Sequence, residues 1–256
     1  MKTFCFTVDD NIRFFEEIAK RGYESLFDHP YLLMLRRLHE RFDLKVQLNL
    51  FYRAGDFSLS DVSACYAAEW AACADWLKLS FHSREENLNP YENAGYGEVL
   101  ADCRAVNGEI LRFASPHTLA KTTTVHYCRT TPGGLLALRD CGVVGLLGLF
   151  GDRENPRTSY SINAPTAARI RDGETVVLDG VAMAPIDMVI NRVALSDIAL
   201  TLSPLFSREQ LHVMIHEQYF YEDYKVYQPD FEEMLLLVFS LLQENGYQSR
   251  FFEDML

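Results

Sequence analysis

The sequence has no long apolar run and no recognisable secretory leader. No stretch of the 256 residues reaches the roughly 18 consecutive apolar residues of a membrane-spanning helix. The N-terminus carries one lysine and continues directly into a predicted strand, without the apolar core and small-residue cleavage site of a signal peptide. We therefore expect a protein without a membrane span, located in the cytoplasm.

The cysteines lack the spacing of a disulfide framework. They include no C-x-x-C pair and lie inside predicted strands and helices, at positions 5, 65, 73, 103, 128 and 141. Such scattered thiols are typical of reduced cysteines in the core or in helices of a cytoplasmic protein.

Positive charge is also scarce. The chain has 24 lysines and arginines against 36 aspartates and glutamates, which gives a formal net charge of −12. A protein that binds the phosphate backbone of nucleic acids needs a basic face, so this balance argues against that class of partner. Acidity alone mainly indicates solubility.

Segments with strand and helix patterns alternate along most of the chain. With 48% hydrophobic and 23% charged residues, the chain is able to bury a full core. Repeated strand–helix units imply parallel strands with right-handed crossovers. We predict an α/β fold, a distorted (β/α) barrel of about seven parallel strands. The predicted strands cover 4–8, 45–52, 76–81, 122–128, 142–150 and 211–215, and the predicted helices cover 12–20, 31–41, 60–74, 93–114, 132–138, 195–202 and 231–244.

Residues 151–191 interrupt this alternation. They contain short β-like pieces at 175–178, 181–183 and 188–190, and Asp179-Gly180 is a strong hairpin signal. We interpret the segment as a small antiparallel insertion beside the barrel. Because no linker, repeat or low-complexity run appears, residues 1–256 are predicted to form a single domain.

The first predicted strand ends in two adjacent carboxylates and an amide, Asp9, Asp10 and Asn11. Like charges at the end of a buried strand repel, and burial increases the cost. A cation removes this cost when one carboxylate ligates it and the other acts as a base beside it. The alternative is a solvated turn followed by a helix N-cap.

Other titratable side chains also follow predicted strands. In a parallel β/α barrel the C-terminal strand ends share one rim, so residues far apart in sequence meet there. Such a set is typical of metal binding and acid/base chemistry. Each also has a structural alternative, as a hydrogen-bonded histidine, a packed ring or a solvated helix start. Besides Asp9 and Asp10, the set contains His82, Glu85, Glu86, His126, His216 and Glu217.

Three of these segments, in this order, resemble the motifs of the polysaccharide deacetylase family, in the glycoside hydrolase/deacetylase superfamily of β/α barrels. Thr7-Val8-Asp9-Asp10 is similar to the T-F-D-D motif of the family. His82-Ser83 begins a segment similar to the H-S/T-x-x-H motif, with Glu86 where the family has its second histidine. Met214-Ile215-His216 resembles the late Leu-x-His motif.

The resemblance implies a metal-dependent hydrolase that removes an acyl group from an amide or ester of a carbohydrate-like or small substrate. Asp10, His82 and Glu86 would hold a divalent metal, and zinc is the expected ion. Asp9 would be the general base that activates water, and His216 the general acid that protonates the leaving group. The metal would polarise the acyl carbonyl.

Two other functions remain open. One is a catalytically inactive barrel that binds a carbohydrate or a partner protein at the same rim. The other is a metal-free glycosidase of the wider superfamily that uses carboxylates such as Asp9 and Glu86. The aromatic-rich segment 219–227 fits either a platform for sugar rings or a loop packed on the barrel.

Overall fold

Strands and helices alternate in the structure, a computed structural model that describes residues 1–86 and 90–256. The strands are β1 (Lys2–Asn11), β2 (Val46–Ala54), β3 (Phe57–Ser58), β4 (Leu77–Glu85), β5 (Thr122–Thr123), β6 (Gly145–Gly148), β7 (Val176–Leu178), β8 (Val181–Pro185), β9 (Met188–Val189), β10 (Gln210–His216) and β11 (Tyr247–Ser249). The helices are α1 (Arg13–Arg21), α2 (Pro30–Phe42), α3 (Ala67–Ala72), α4 (Tyr96–Phe113), α5 (Pro132–Asp140), α6 (Ala164–Arg171), α7 (Ile198–Leu202) and α8 (Phe231–Glu244).

Parallel pairing joins the long strands into two sheets, one with β9, β10, β1, β2 and β4 in spatial order, the other with β5, β6 and β8. A parallel bridge between Leu79 and Leu119 connects β4 to the residues before β5. On the other side β8 runs into β9 after two residues, and Asp187 N–H donates to the His212 carbonyl at the start of β10. Seven parallel strand positions follow one another around this ring, with β8 and β9 counted as one. The predicted α/β barrel is confirmed.

The strand β1 lies at the centre of the larger sheet, between β2 and β10. All its residues from Phe4 to Asn11 are buried. Phe4 and Phe6 pack their rings against Phe239 of α8, which covers the outer face of the sheet. A strand buried on both faces reads as a near-continuous apolar run, and this explains why β1 is recognisable from sequence.

The segment 151–191 is only partly the antiparallel insertion that the sequence predicts. The strands β7 and β8 do pair antiparallel, and they are joined by a turn in which Asp179 and Gly180 have φ of 49° and 83°. This is the turn chemistry expected of Asp-Gly. However, β8 and β9 pair in parallel with β6 and β10, so 181–185 and 188–189 belong to the wall of the barrel.

In the described part of the chain, no helix has both the length and the apolar character needed to cross a membrane.

Candidate metal centre

The C-terminal end of β1 directs two consecutive carboxylates to one cavity. Pairing between β1 and β2 shifts register between Val8 and Asn11, which marks a β-bulge, and Asp10 has a left-handed backbone with φ of 65°. Successive side chains of a regular strand face opposite sides. The bulge overrides this alternation, and both Asp9 and Asp10 line a cavity of about 280 Å³ at the rim.

Three buried groups converge beside this cavity. His82 Nε2 lies 2.9 Å from Asp10 Oδ1, and His126 Nδ1 lies 3.3 Å from the same oxygen. The two ring nitrogens lie 3.0 Å apart. Asp10, His82 and His126 come from the ends of β1 and β4 and from the turn after β5. They meet at the barrel rim although the chain separates them by more than one hundred residues.

Backbone carbonyls orient both rings. His82 Nδ1–H donates to the carbonyl of Thr124, and His126 Nε2–H donates to the carbonyl of Glu86 at 2.8 Å. Because a carbonyl only accepts, each of these nitrogens carries the proton in a neutral ring, and the other nitrogen presents a lone pair. Both lone pairs face Asp10 Oδ1. Only a shared proton or a bound cation relieves the repulsion between three such acceptors.

The spacing of these acceptors fits a zinc-like ion. Nitrogen and oxygen ligands ~2.0–2.2 Å from a tetrahedral zinc lie about 3.3 Å from one another. The observed separations of 2.9, 3.0 and 3.3 Å need only a small adjustment. Gln218 Nε2–H donates to Asp10 Oδ2 at 2.6 Å, which leaves Oδ1 as the metal-facing oxygen. A carbonyl on each histidine and an amide on the aspartate are typical outer-shell partners of metal ligands.

The protonation states of Asp10 and His82 depend on each other. Burial alone would raise the pKa of Asp10, but hydrogen bonds formed by a proton shared with His126 and His82 outweigh burial and hold this pKa well below its usual value. Burial alone would lower the pKa of His82, but the charges of Asp9 and Asp10 raise it. The centre therefore favours a carboxylate and a positive charge next to it, which is the electrostatic environment of a cation site.

Glu86 has a different position from the one expected of a third ligand. Its side chain lines the cavity, and its backbone carbonyl orients His126. Among the described residues, the group with metal-binding spacing consists of Asp10, His82 and His126. His126 is one of the strand-end residues of the sequence analysis, but the predicted strand 122–128 gave no reason to prefer it. In the structure β5 ends at Thr123, and a turn with left-handed Tyr127 directs the ring inward.

Asp9 lies next to the metal centre, and a side chain of β2 holds its carboxylate by a hydrogen bond. Its Oδ1 accepts a hydrogen bond from Asn49 Nδ2 at 2.6 Å, and Asn49 Oδ1 in turn accepts from Gln47 Nε2 at 2.8 Å. Burial raises the pKa of Asp9 to about 6, against the opposing effect of His82. Across the β1–β10 pair, Asp9 is the register partner of His216. The residues predicted as general base and general acid therefore lie side by side on adjacent strands.

His216 lines the same cavity. Its Nδ1–H donates to Asn191 Oδ1 at 2.9 Å, which leaves Nε2 as the free acceptor of the ring. Burial lowers the pKa of His216 to about 4, so the ring is neutral at pH 7. Glu217, the adjacent candidate, points away from the cavity and caps α1: its carboxylate accepts from the backbone N–H groups of Ile12, Arg13 and Phe14 at 2.7, 3.1 and 2.7 Å.

The cavity opens into a longer groove of about 850 Å³, and the two share Asp10, Glu86 and Gln218. Of the aromatic-rich segment 219–227, Tyr224 lines the cavity, whereas Phe220 packs against Tyr31 and Phe231. The segment is therefore partly a packed loop and partly a cavity wall.

Several solved structures have a similar fold. The family 4 acetyl xylan esterase from Clostridium thermocellum, solved with a cobalt ion, has a TM-score of 0.53 at 12% identity over 99% of this chain and 89% of that one. A peptidoglycan N-acetylglucosamine deacetylase has a TM-score of 0.54 at 9% identity over 99% and 87%. No known family model and no curated protein matches the sequence. The resemblance to polysaccharide deacetylases is thus confirmed for the fold.

Two further matches show that proteins with other names and activities have this fold. A CE4 family pseudoenzyme from Bacillus anthracis has a TM-score of 0.53 at 10% identity, and the match covers 97% of this chain and 63% of that one. A 4-alpha-glucanotransferase from Thermococcus litoralis has a TM-score of 0.64 at 12% identity over 99% and 40%. Hydrolases, a transferase and an inactive homologue share this architecture, so function has to be argued from the site.

Proposed function

We propose that this protein is a metal-dependent hydrolase that removes an acyl group from an amide or an ester. One observation carries the proposal: two histidines, each oriented by a backbone carbonyl, present their lone pairs to the same oxygen of Asp10. Buried acceptors at this separation are costly without a cation. Metal-free acid/base chemistry, such as that of a glycosidase, has no need of this arrangement.

Asp10, His82 and His126 are the proposed ligands, with His126 in the role that the sequence resemblance assigned to Glu86. One carboxylate and two imidazoles are a donor set that suits zinc. When bound, the ion polarises the acyl carbonyl and increases the acidity of water.

Asp9 is the proposed general base. Its pKa of about 6 gives a carboxylate that is ionised at pH 7 and still basic enough to take a proton from water. The hydrogen bond from Asn49 fixes one oxygen of this carboxylate and leaves the other for the reacting water.

His216 is the proposed general acid. Since the ring is neutral at pH 7, it gives up a proton only after its pKa has risen during the reaction. Negative charge that develops on the substrate next to the ring has this effect. Asn191 keeps Nδ1 occupied, so Nε2 is the atom that takes up a proton from solvent as its pKa rises and then transfers it to the leaving group, while the proton of the attacking water goes to Asp9.

A carbohydrate-like substrate fits the dimensions of the site. A cavity of about 280 Å³ with an adjoining groove of about 850 Å³ accommodates a sugar ring and its neighbours, and Tyr224 offers a ring face. The esterase and the deacetylase of similar fold are named for xylan and peptidoglycan, both of which are carbohydrate polymers.

The second candidate function is binding without catalysis. The low pKa of His216 favours it, because a ring that stays neutral throughout cannot act as an acid. The same rim would then hold a carbohydrate or a partner protein.

The test is turnover by zinc-loaded protein on acetylated xylan and on N-acetylglucosamine oligomers, with wild type compared with Asp9→Asn. We expect wild type to release acetate, and the variant to lose at least about 100-fold in kcat, the scale of general base catalysis, while it retains zinc. Asp75→Asn changes an exposed carboxylate outside the cavity and the groove and is the matched control. No acetate from the wild type would favour the binding function, and full activity in Asp9→Asn would exclude Asp9 as the base.

A further inference from the structure

The walls of the cavity carry opposite charges. Its acidic and imidazole groups come from the ends of β1 and β4 and from the turn after β5. Its basic groups follow three other strands: Arg157 after β6, Arg192 after β9 and Lys225 after β10. Since β6, β8–β9 and β10 succeed one another around the barrel, the three basic residues form one wall, which we call the basic wall.

A tight loop that requires glycine at position 151 holds Arg157 in place. Gly151 has φ of +68°, and a Cβ at this position would lie 2.1 Å from the Asn155 carbonyl oxygen. The chain returns at once through a bridge between Gly151 and Pro156, and Arg157 N–H donates to the Phe150 carbonyl at 3.0 Å. The Arg157 guanidinium donates through Nη2 to the carbonyl of Tyr127. Its Nε is buried and has no hydrogen-bond partner among the described residues.

Arg192 and Lys225 are exposed at the mouth of the cavity. Neither forms a salt bridge with any carboxylate in the part of the chain that the structure describes. Other exposed arginines in this part of the chain, such as Arg37, Arg53 and Arg169, do have an acidic partner. Unpaired cations grouped in a concave site raise the local concentration of anions.

The carboxylates within the cavity do not neutralise the positive charge of the basic wall once a divalent ion is bound. Asp9, Asp10 and Glu86 match the basic wall in number. A divalent ion at Asp10, His82 and His126 would leave the cavity with an excess of positive charge. A neutral acylated sugar has no group that uses this excess, whereas a substrate with an anionic group does.

We propose that Arg157, Arg192 and Lys225 form an anion subsite that binds a carboxylate or phosphate group of the substrate opposite the metal centre. This deepens the proposed function, on which it depends for the acyl group of the same substrate. Arg157 supplies a guanidinium that its hydrogen bond to the Tyr127 carbonyl holds in place at the cavity wall, and the two exposed side chains close on the anion from the mouth. Guanidinium groups suit carboxylate and phosphate because they donate two hydrogen bonds in one plane.

The first experiment measures anion binding with the metal centre occupied, because the excess of positive charge depends on the ion. Zinc-loaded protein freed of excess zinc is titrated with inorganic phosphate and, in a second arm, with malonate, by calorimetry. We expect at least one of the two to bind, and the double variant Arg192→Ala/Lys225→Ala to weaken this binding by about tenfold or more, as expected when charge-assisted hydrogen bonds are lost. Arg41→Ala/Arg104→Ala removes two exposed positive charges elsewhere and is expected to change the affinity less than about twofold, the scale of screened distant charges.

The second experiment compares zinc-loaded protein on N-acetylglucosamine 6-phosphate and N-acetylglucosamine. We expect the phosphorylated sugar to bind about tenfold more tightly to the wild type and with no preference to the double variant. Absence of anion binding in the first experiment, or binding that the double variant retains, would overturn the proposal. Hydrolysis of neutral acyl substrates would then still support the proposed function. Conversely, phosphate binding that depends on Arg192 and Lys225, without hydrolysis of any acyl substrate, would support the anion subsite and contradict the proposed hydrolase activity.

Discussion

At the scale of single residues, Asp10 adopts an unfavourable backbone conformation. Its φ of 65° belongs to the left-handed region, and Tyr127 and Cys128, next to His126, share it with φ of 57° and 54°. Left-handed backbone costs most side chains ~1–2 kcal/mol, and aspartate tolerates it better than most. Such conformations persist where the surrounding structure imposes them, and they cluster at functional sites. The strain supports the proposal that Asp10 and His126 are metal ligands.

Asp9 is expected to make the metal-free protein less stable as the pH rises. Its folded-state pKa of about 6 lies above its usual value of 3.8, so the stability it contributes is complete below pH 4 and lost as the pH rises through 6. The loss amounts to about 3 kcal/mol. Asp9→Asn removes this titration and keeps an acceptor for Asn49, so we expect the variant to gain roughly this amount over the wild type between pH 4 and pH 7.

Urea unfolding of both proteins in the presence of a chelator, at several pH values, measures this difference. A difference that stays constant with pH would mean that Asp9 is not held at a raised pKa.

The sequence predicts part of the site, and the limit is set by backbone detail. Asp9, Asp10, His82 and His216 follow recognisable apolar strands, and their convergence needs only the barrel. The preference for His126 over Glu86 depends on where β5 ends and on a left-handed turn at Tyr127. Neither of these backbone features changes the hydrophobic pattern of the sequence, because a buried turn and a buried strand have similar compositions.

At the scale of elements, α1 depends on a residue from the far end of the chain. Its N-cap residue Ile12 offers no side-chain cap, and Glu217 accepts hydrogen bonds from the backbone N–H groups of the N-cap and of the first two helical residues. Tyr221 donates a further hydrogen bond to this carboxylate at 2.8 Å. The carboxylate also interacts favourably with the positive end of the helix dipole. Because β1 continues directly into α1, this contact fixes the chain that follows Asp9 and Asp10.

Replacement of Glu217 with alanine is expected to lower the free energy of unfolding by roughly 3–5 kcal/mol, because buried donors lose their acceptor. Guanidinium unfolding measures the change. Asp223→Ala, which removes the exposed partner of Arg13 in the same loop, is the matched control and is expected to cost less than about 1 kcal/mol. Equal effects of the two substitutions on the free energy of unfolding would show that the Glu217 cap stabilises the protein no more than an exposed salt bridge does.

The elements most accurately predicted are those whose pattern is local. The helix 231–244 has the predicted bounds, and the Asp179-Gly180 hairpin is present. The wall positions of β8 and β9 were missed because they depend on pairing with β6 and β10, which are distant in sequence. The Glu217 cap joins residues 205 apart and is invisible to local patterns for the same reason.

At the scale of the whole molecule, the barrel converts a long chain into a small site. Asp10 and His216 lie on neighbouring strands although the sequence between them spans most of the protein. The proposed ligands follow β1, β4 and β5, so a bound ion would connect strands on one side of the ring. An ion that binds only the folded chain stabilises it by mass action.

Zinc is therefore expected to raise the thermal stability of the wild type. At a free concentration about 100 times the dissociation constant, the gain is about 2.7 kcal/mol, which corresponds to a rise of roughly 5–10 °C in Tm for a chain of this size. Differential scanning calorimetry with and without chelator measures it. We expect His126→Ala to lose the rise and Glu86→Gln to keep it; the reverse pattern would restore Glu86 as the third ligand.

The most direct test of the metal centre is a crystal structure of zinc-loaded protein with anomalous diffraction data collected on both sides of the zinc absorption edge. The account predicts one strong anomalous peak within about 2.0–2.3 Å of Asp10 Oδ1, His82 Nε2 and His126 Nδ1, with the carboxylate of Glu86 outside this distance. A peak elsewhere, a peak with Glu86 in place of His126, or no peak at this rim would contradict it.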